Sequence, residues 1–313
     1  MLYFLLLIFI KTMDDIESSI IKENSENITP EEQKILKDYE FIKSIGKIKN
    51  GELFLVLYDL DKSGTKKNYL LKKIEIKSNN GRQQISDEIE LLKTIECKYI
   101  IKIHNFITEK GNEIEIGYIL MDYYEENLET KIKKNSILNN RLIWRIFFQL
   151  AYAIKLFHLK KIILKDLCPQ NIFIDKKNNI KLGGFGMILD FKNVEDINLF
   201  NPYIPPEILN GEDYTNKYDT WSLGCILYEL IFKKKPFESI ETIKNIKYEI
   251  SNECENELKM LLSKLLCNDK NRLKINEIFI DMNFKKKLIQ INLFDEILGK
   301  KISKVRIFQY NFY

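Results

Sequence analysis

The sequence predicts an α+β fold in two lobes: a small antiparallel sheet with one helix, followed by a larger, mainly helical lobe. Three observations carry that expectation. Strand-like runs separated by turn residues fill the stretch from Tyr39 to Met121 and are interrupted once by an amphipathic segment. Two later stretches, Leu142 to Phe157 and Trp221 to Phe232, are apolar nearly all round, the pattern of helices buried on every side. With 313 residues, 45% of them hydrophobic, the chain is long enough to bury a substantial core.

The elements follow in order. A first strand begins at Tyr39 with Phe41-Ile42 and reaches a turn between Gly46 and Gly51, after which Leu53 to Tyr58 form a second strand. Asp61-Lys62-Ser63-Gly64 supplies the turn residues of a hairpin leading into a third strand, Tyr69 to Ile74. Ile85, Ile89 and Leu92 fall on one face of a helix over 82–95. Tyr99 to Ile107 and Ile114 to Met121 complete a five-stranded small lobe (39–121), and the large lobe runs over 125–284. Residues 13–38 read as an acidic linker or a short capped helix near Thr29-Pro30-Glu31-Glu32, and 285–313 as a basic and apolar tail helix packed on the large lobe.

Composition excludes several functions. Lys and Arg number 49 against 45 Asp and Glu, a net charge of +4, too balanced for a nucleic-acid surface. Five cysteines stand singly with no Cys-x-x-Cys spacing, which argues against a disulfide framework or zinc site and for a reducing compartment. His104 and His158 lie far apart in apolar stretches and are expected in core or surface roles rather than as ligands. Residues Met1 to Ile10 are almost wholly apolar, but too few to span a bilayer. They also lack the basic flank and small-residue cleavage site of a signal peptide. A true start at Met13 and a genuine anchor both stay open, so 1–12 is set apart; a cytoplasmic location is expected, with a membrane involved only if Met1–Ile10 is real.

Chemistry-bearing motifs lie in the second half. Leu164-Lys165-Asp166-Leu167-Cys168-Pro169-Gln170-Asn171 resembles the catalytic loop His-Arg-Asp-Leu-Lys-Pro-x-Asn. Pro205-Pro206-Glu207 resembles Ala-Pro-Glu, Asp219-x-Trp221-Ser222-Leu223-Gly224 resembles a buried large-lobe helix, and Arg272 stands where that glutamate finds its partner. Together, in this order and at these spacings, they resemble the two-lobed protein kinase fold over roughly Tyr39 to Phe284. The wording of Pro-Gln-Asn-Ile-Phe and Lys-Leu-Gly-x-Phe-Gly is most similar to NIMA-related serine/threonine kinases.

The resemblance implies roles. Lys72 would hold the α and β phosphates of ATP, with Glu88 as its ion-pair partner; Asp166 would take the substrate hydroxyl's proton; Asn171 would hold a metal. Gly46, Gly51 and Leu53 would belong to the phosphate loop, and Leu70, Met121, Asp122, Tyr124 and Phe173 to the nucleotide pocket. Asp219 and the Glu207–Arg272 pair would tie the large lobe together.

The departures fall mainly on ATP and metal. Gly184-Phe185-Gly186 stands in place of Asp-Phe-Gly, so the main magnesium ligand position has no side chain. Asp190, six residues on, reads as a surface residue. Ile48 replaces the middle glycine of the phosphate loop, Leu70 a smaller residue over the adenine, and Cys168 the lysine that steadies the transferring phosphate. Leu164 replaces the loop histidine, where it can stack on Phe185 and Leu92, and Phe200 a threonine that contacts the catalytic aspartate. Lys165 replaces the arginine that receives an activation-segment phosphate. Between Gly186 and Glu207 there is no Ser or Thr, only Tyr203, so Lys165 is expected to pair with Glu195 or Asp196.

The expectation is a pseudokinase: a scaffold or allosteric partner of an active kinase or other protein, with weakened ATP binding, a compromised magnesium site and weak or no phosphotransfer. The alternative is an atypical active serine/threonine kinase relying on Lys72, Glu88, Asp166 and Asn171. A one-base sequence variant at Gly184 is a third reading.

Overall fold

The computed structural model describes residues 36–48, 51–76, 81–110, 115–134, 138–183, 200–251 and 254–290, apart from the side chains of four of them, Glu88 among these. The apolar segment Met1–Ile10, Gly184 to Asp196 and the tail beyond Gln290 lie outside the described residues. The chain divides into two compact units, one containing residues to Glu96 and Ile101–Tyr123, the other Cys97–Ile100 and everything from Tyr124.

The small unit holds β1 (Glu40–Ile48), β2 (Gly51–Tyr58), β3 (Lys67–Ile76), helix α1 (Gly81–Lys93), β4 (Ile103–Lys110) and β5 (Glu115–Asp122). Its sheet has the order β1-β2-β3-β5-β4, with every neighbouring pair antiparallel. Because side chains alternate across a strand, the sheet has two distinct faces. Phe54, Val56, Tyr69, Leu71, Tyr118 and Leu120 form a buried cluster on one of them. Leu36 and Tyr39 close that cluster, so the end of the expected acidic linker is part of the core. A stack of Tyr39 on Tyr58, with centroids 4.5 Å apart, extends it. Helix α1 buries Ile85, Ile89 and Leu92, the predicted face.

Two boundaries differ from expectation. Strand pairing between β1 and β2 reaches further into the expected turn, to Ile48 against Gly51; Lys49 and Asn50 lie outside the described residues. The strand expected from Tyr99 starts at Ile103. Tyr99 and Ile100 belong to the large unit, because the Leu182 N–H donates to the Tyr99 carbonyl at 2.7 Å and Ile100 bridges Leu182. An apolar run cannot reveal which sheet edge claims it.

The large unit opens with β6 (Glu126–Asn127), helix α2 (Leu128–Lys133) and the core helix α3 (Asn140–Leu159). Asn127 and Asn139 cap α2 and α3 by accepting from the N–H groups of Thr130 and Leu142. A short 3₁₀ turn at Pro169–Asn171 leads into β7 (Ile172–Ile174) and β8 (Ile180–Leu182). Then follow α4 (Pro206–Leu209), α5 (Lys217–Phe232), α6 (Ile240–Lys244), α7 (Asn256–Leu265), α8 (Ile275–Ile280) and α9 (Met282–Gln290). Helix α3 is long and apolar enough to cross a membrane, yet it is mostly buried in protein. Trp144 on it stacks on Phe148 and donates its indole N–H to Glu255. Trp221 on α5 lies flat against Phe237.

The expected domain end at Phe284 falls inside α9, whose Phe284 and Leu288 are buried. Lys287 pairs with Glu255, and its ammonium lies over the Trp144 ring. The repeating lysines obscured this in the sequence, because one of them anchors a core helix while its neighbours do not.

Helix α5 crosses α7 at Gly224, where a Cβ would stand 2.9 Å from Leu265 Cβ and from Leu266 Cδ2. Gly224→Ala should therefore destabilise by about 1–2 kcal/mol. Overpacking of typically 1–3 kcal/mol outweighs the gain of up to about 1 kcal/mol in helix propensity. A melting temperature equal to or above wild type would contradict that close approach.

Candidate active site

Each unit presents its own set of the predicted residues. In the small unit, Leu53 faces Lys72 across β2 and β3, Lys72 faces Ile119, and Leu70 faces both Leu55 and Met121. Strand periodicity places Leu53, Leu70, Lys72 and Met121 on one face, opposite the aromatic cluster. Leu70 and Met121 are buried there, at 7% and 6% exposure. Glu88 sits on α1, with its side chain outside the described residues.

Asp122 departs from this set. It pairs with Tyr69, on the other face, and its carboxylate lies 2.6 Å from His104 Nε2. The side chain is thereby turned away from Leu70 and Met121, and its sequence position next to Met121 gave no sign of that. His104 accordingly has a structural role, with its ring edge against Tyr69.

The phosphate-loop positions separate into two kinds. A Cβ on Gly51 would fall 1.9 Å from the Lys73 carbonyl oxygen, so sheet packing alone demands glycine there. Gly46 has nothing within 4 Å of an added Cβ. Ile48 ends β1 in extended pairing, a conformation that suits a β-branched residue. The pairing of β1 with β2 reaches Gly46–Leu53 and Ile48–Gly51 after register shifts between Phe41 and Lys43 and between Ser44 and Gly46.

In the large unit, Asn171 donates its amide to Asp166 twice, to Oδ2 at 2.8 Å and to the carbonyl at 2.9 Å. The loop carrying Asp166 is strained. Its N–H donates to the Leu164 carbonyl at 2.7 Å, closing a three-residue turn around Lys165, whose φ is +58°. A left-handed non-glycine residue costs on the order of 1–3 kcal/mol and persists only where its surroundings over-determine it. Asp219, fully buried on α5, does so here. Its carboxylate accepts from the N–H groups of Leu164 at 2.9 Å and Lys165 at 3.1 Å, while His158 Nε2 lies 2.7 Å away. Sequence reading assigned Asp219 to the tie but missed His158, because its apolar flanks gave no hint of a carboxylate partner.

The Glu207–Arg272 pair forms as expected. Both guanidinium Nη groups donate to the carboxylate, one at 3.0 Å, and the guanidinium lies 4.8 Å from the Trp221 ring centroid. Pro202, Tyr203 and α5 are tied together too: the Trp221 indole donates to the Pro202 carbonyl, Ser222 to the Tyr203 carbonyl, and the Tyr203 hydroxyl to Glu229. Burial, then the Glu229 charge, pushes the Tyr203 phenol far up, so it remains a donor. Burial and then the Asp166 charge push the Cys168 thiol up to about 12, leaving it neutral at ordinary pH. No positive charge stands at that position.

Lys165 holds its ammonium over the Tyr214 ring, 4.4 Å from the centroid; Glu195 and Asp196 lie outside the described residues. Leu164 is buried, Phe200 is 41% exposed, and Phe185 is not described. Tyr124 and Phe173 place their rings 6.4 Å apart, with Lys181 over Tyr124. The Gly183 N–H donates to the Asn171 carbonyl at 2.9 Å, so the residue just before Gly184 is fixed beside the Asp166–Asn171 pair. The next residue, Gly184, offers no side chain, so the position that the resemblance gives to the main magnesium ligand supplies no donor and Asn171 alone of that pair remains.

A five-stranded sheet bearing a lysine on its third strand, and a helical unit with an Asp–Asn loop and a buried Glu–Arg tie, are the two parts of a protein kinase-like fold. The protein kinase domain model matches residues 39–282, and the chain belongs to the protein kinase family. Among its relatives, serine/threonine-protein kinase Nek1 of Mus musculus is 30% identical over 291 residues, covering 86% of this chain and 23% of that protein. Serine/threonine-protein kinase Nek3 of Oryza sativa is 32% identical over 214 residues, covering 66% of this chain and 35% of that protein. An Aurora kinase of Candida glabrata is 30% identical over 270 residues, covering 80% and 72%. The chain thus spans well under half of either Nek relative, and both names agree with the NIMA-like wording of its motifs.

Proposed function

We propose that this chain acts as a pseudokinase: a kinase fold working in the cytoplasm as scaffold or allosteric partner of another protein, an active kinase among the candidates, with weak or no phosphotransfer. One observation carries the reading. Family members neutralise the ATP phosphates with magnesium held chiefly by an aspartate, and here that position, directly after the Gly183 anchored to Asn171, is Gly184. The neutral Cys168 thiol removes a second compensating charge. The losses fall on one step, so they compound without being additive.

The strained turn that holds Asp166 favours a second reading, an atypical active serine/threonine kinase, since backbone strain of this kind clusters at working sites. Thermal shift with ATP, with and without magnesium, separates the two. A pseudokinase of this design should show no magnesium-dependent increment in melting temperature. An increment in wild type that disappears in Lys72→Met, together with phosphotransfer that disappears in Asp166→Ala, would establish the second reading.

A further inference from the structure

The activation-segment sequence contains no Ser or Thr between Gly186 and Glu207, and its one tyrosine, Tyr203, is buried with its hydroxyl committed to Glu229. A phosphate receptor at Lys165 would have nothing to receive from that stretch. The phenol beside Lys165 comes from elsewhere. Tyr214 is half-buried in the irregular loop 210–216, between α4 and α5, and its ring lies under the Lys165 ammonium. Around it Gly211, Glu212, Asp213, Thr215 and Asn216 are exposed.

We propose that Tyr214 is a phosphorylation site whose phosphate is read by Lys165 of the catalytic loop. Four features support it. The loop is free of helix and strand, and only the Tyr214 ring, which packs on Tyr218 and beside Ile204 and Ile208, has to be drawn out for it to enter another enzyme's cleft. Two exposed carboxylates, Glu212 and Asp213, precede the tyrosine and suit a kinase with a basic peptide groove. Neighbouring hydroxyls are less available: Tyr218 is buried, and Thr215 is engaged with Asp269 and the Lys217 N–H. Finally, the receiving cation is already in contact with the ring.

The donor is ATP, delivered by a tyrosine-directed kinase. The bond between the γ-phosphorus and the bridging oxygen breaks, Tyr214 Oη bonds to phosphorus, ADP leaves, and the phenolic proton passes to that kinase's base. The product carries close to two negative charges at the ring edge. Glu212 and Asp213 repel it, while the four-carbon stem of Lys165 lets its ammonium swing from ring face to phosphate. Since Lys165 is the centre of the left-handed turn before Asp166, the phosphate would stiffen the loop next to the catalytic position. The proposal concerns how the loop is held and stands whether or not the chain transfers phosphate.

The test treats the full chain with ATP and a tyrosine kinase chosen because it modifies an isolated peptide covering 208–218. Phosphate is mapped by mass spectrometry, and hydrogen exchange is followed over residues 162–168. Phosphate is expected on Tyr214 and absent at that position in Tyr214→Phe, which keeps the ring. Exchange over 162–168 should slow by about threefold, the factor that one partly exposed ion pair supplies. Phosphorylated Lys165→Met should show no slowing and Lys165→Arg should retain it. Failure to modify Tyr214 in the folded chain, or equal exchange changes in wild type and Lys165→Met, would overturn the proposal.

Discussion

Gly184→Asp is expected to create a magnesium-dependent stabilisation by ATP that the wild-type chain lacks. The change returns a carboxylate to the position that follows Gly183, whose N–H is fixed on the Asn171 carbonyl. Asn171 already faces Asp166, so the restored side chain would complete a metal site from residues of the large unit. At nucleotide concentrations a hundredfold above Kd, a ligand binding only the folded state adds about 2.7 kcal/mol. For a chain of this size that corresponds to roughly 4 °C in melting temperature. Phosphotransfer should rise by about two to three orders of magnitude, the usual effect of one well-placed charge-stabilising group. Two outcomes would sink the argument: the same magnesium increment in wild type, or none in Gly184→Asp while ATP alone still stabilises. In the first case the metal finds ligands without residue 184; in the second the deficit lies elsewhere in the site, with Cys168 the next position to change.

Arg272→Ala should be the most damaging single substitution in the large unit, at about 3–5 kcal/mol, because it leaves Glu207 as a buried carboxylate without a cation. The arginine also donates to the Cys267 and Lys217 carbonyls and covers the Trp221 ring, so the loss includes packing and backbone hydrogen bonds. Expressed as melting temperature, the drop is on the order of 10 °C. The informative control is the double replacement Glu207→Leu with Arg272→Met. Removing both charges should recover a good part of the loss, since the desolvation cost of a buried pair disappears with it. If the double variant is as unstable as Arg272→Ala, the carbonyl hydrogen bonds rather than the ion pair hold this corner.

Strand periodicity made the small unit legible in the sequence. Val56, Leu71 and Ile74 announce buried strands, and the pairing of Leu53 with Lys72 follows from the register that these patterns impose. The catalytic-loop motif likewise led directly to Asp166 and Asn171, which the fold brings into contact. What stayed hidden was direction. Asp122 follows Met121 in sequence, yet the strand pleat sends its side chain to the opposite face, to His104. The left-handed turn at Lys165 was equally invisible, because nothing in a lysine marks φ = +58°; the strain comes from Asp219, far along the chain. The Tyr214 ring over which Lys165 lies was equally unmarked, because a ring face carries no charge pattern in the sequence; Glu195 and Asp196, the partners expected of Lys165, lie outside the described residues.

Both tryptophans of this chain, Trp144 and Trp221, are fully buried in the large unit, stacked on Phe148 and Phe237. The small unit contains tyrosine and phenylalanine but no tryptophan. Intrinsic fluorescence excited at the red edge of the indole band therefore sees one unit and is blind to the other. Secondary-structure signals collected on the same sample report both. Unfolding curves from the two probes should coincide if the units melt together and separate if the sheet gives way first, so the native chain carries a built-in optical test of its own cooperativity.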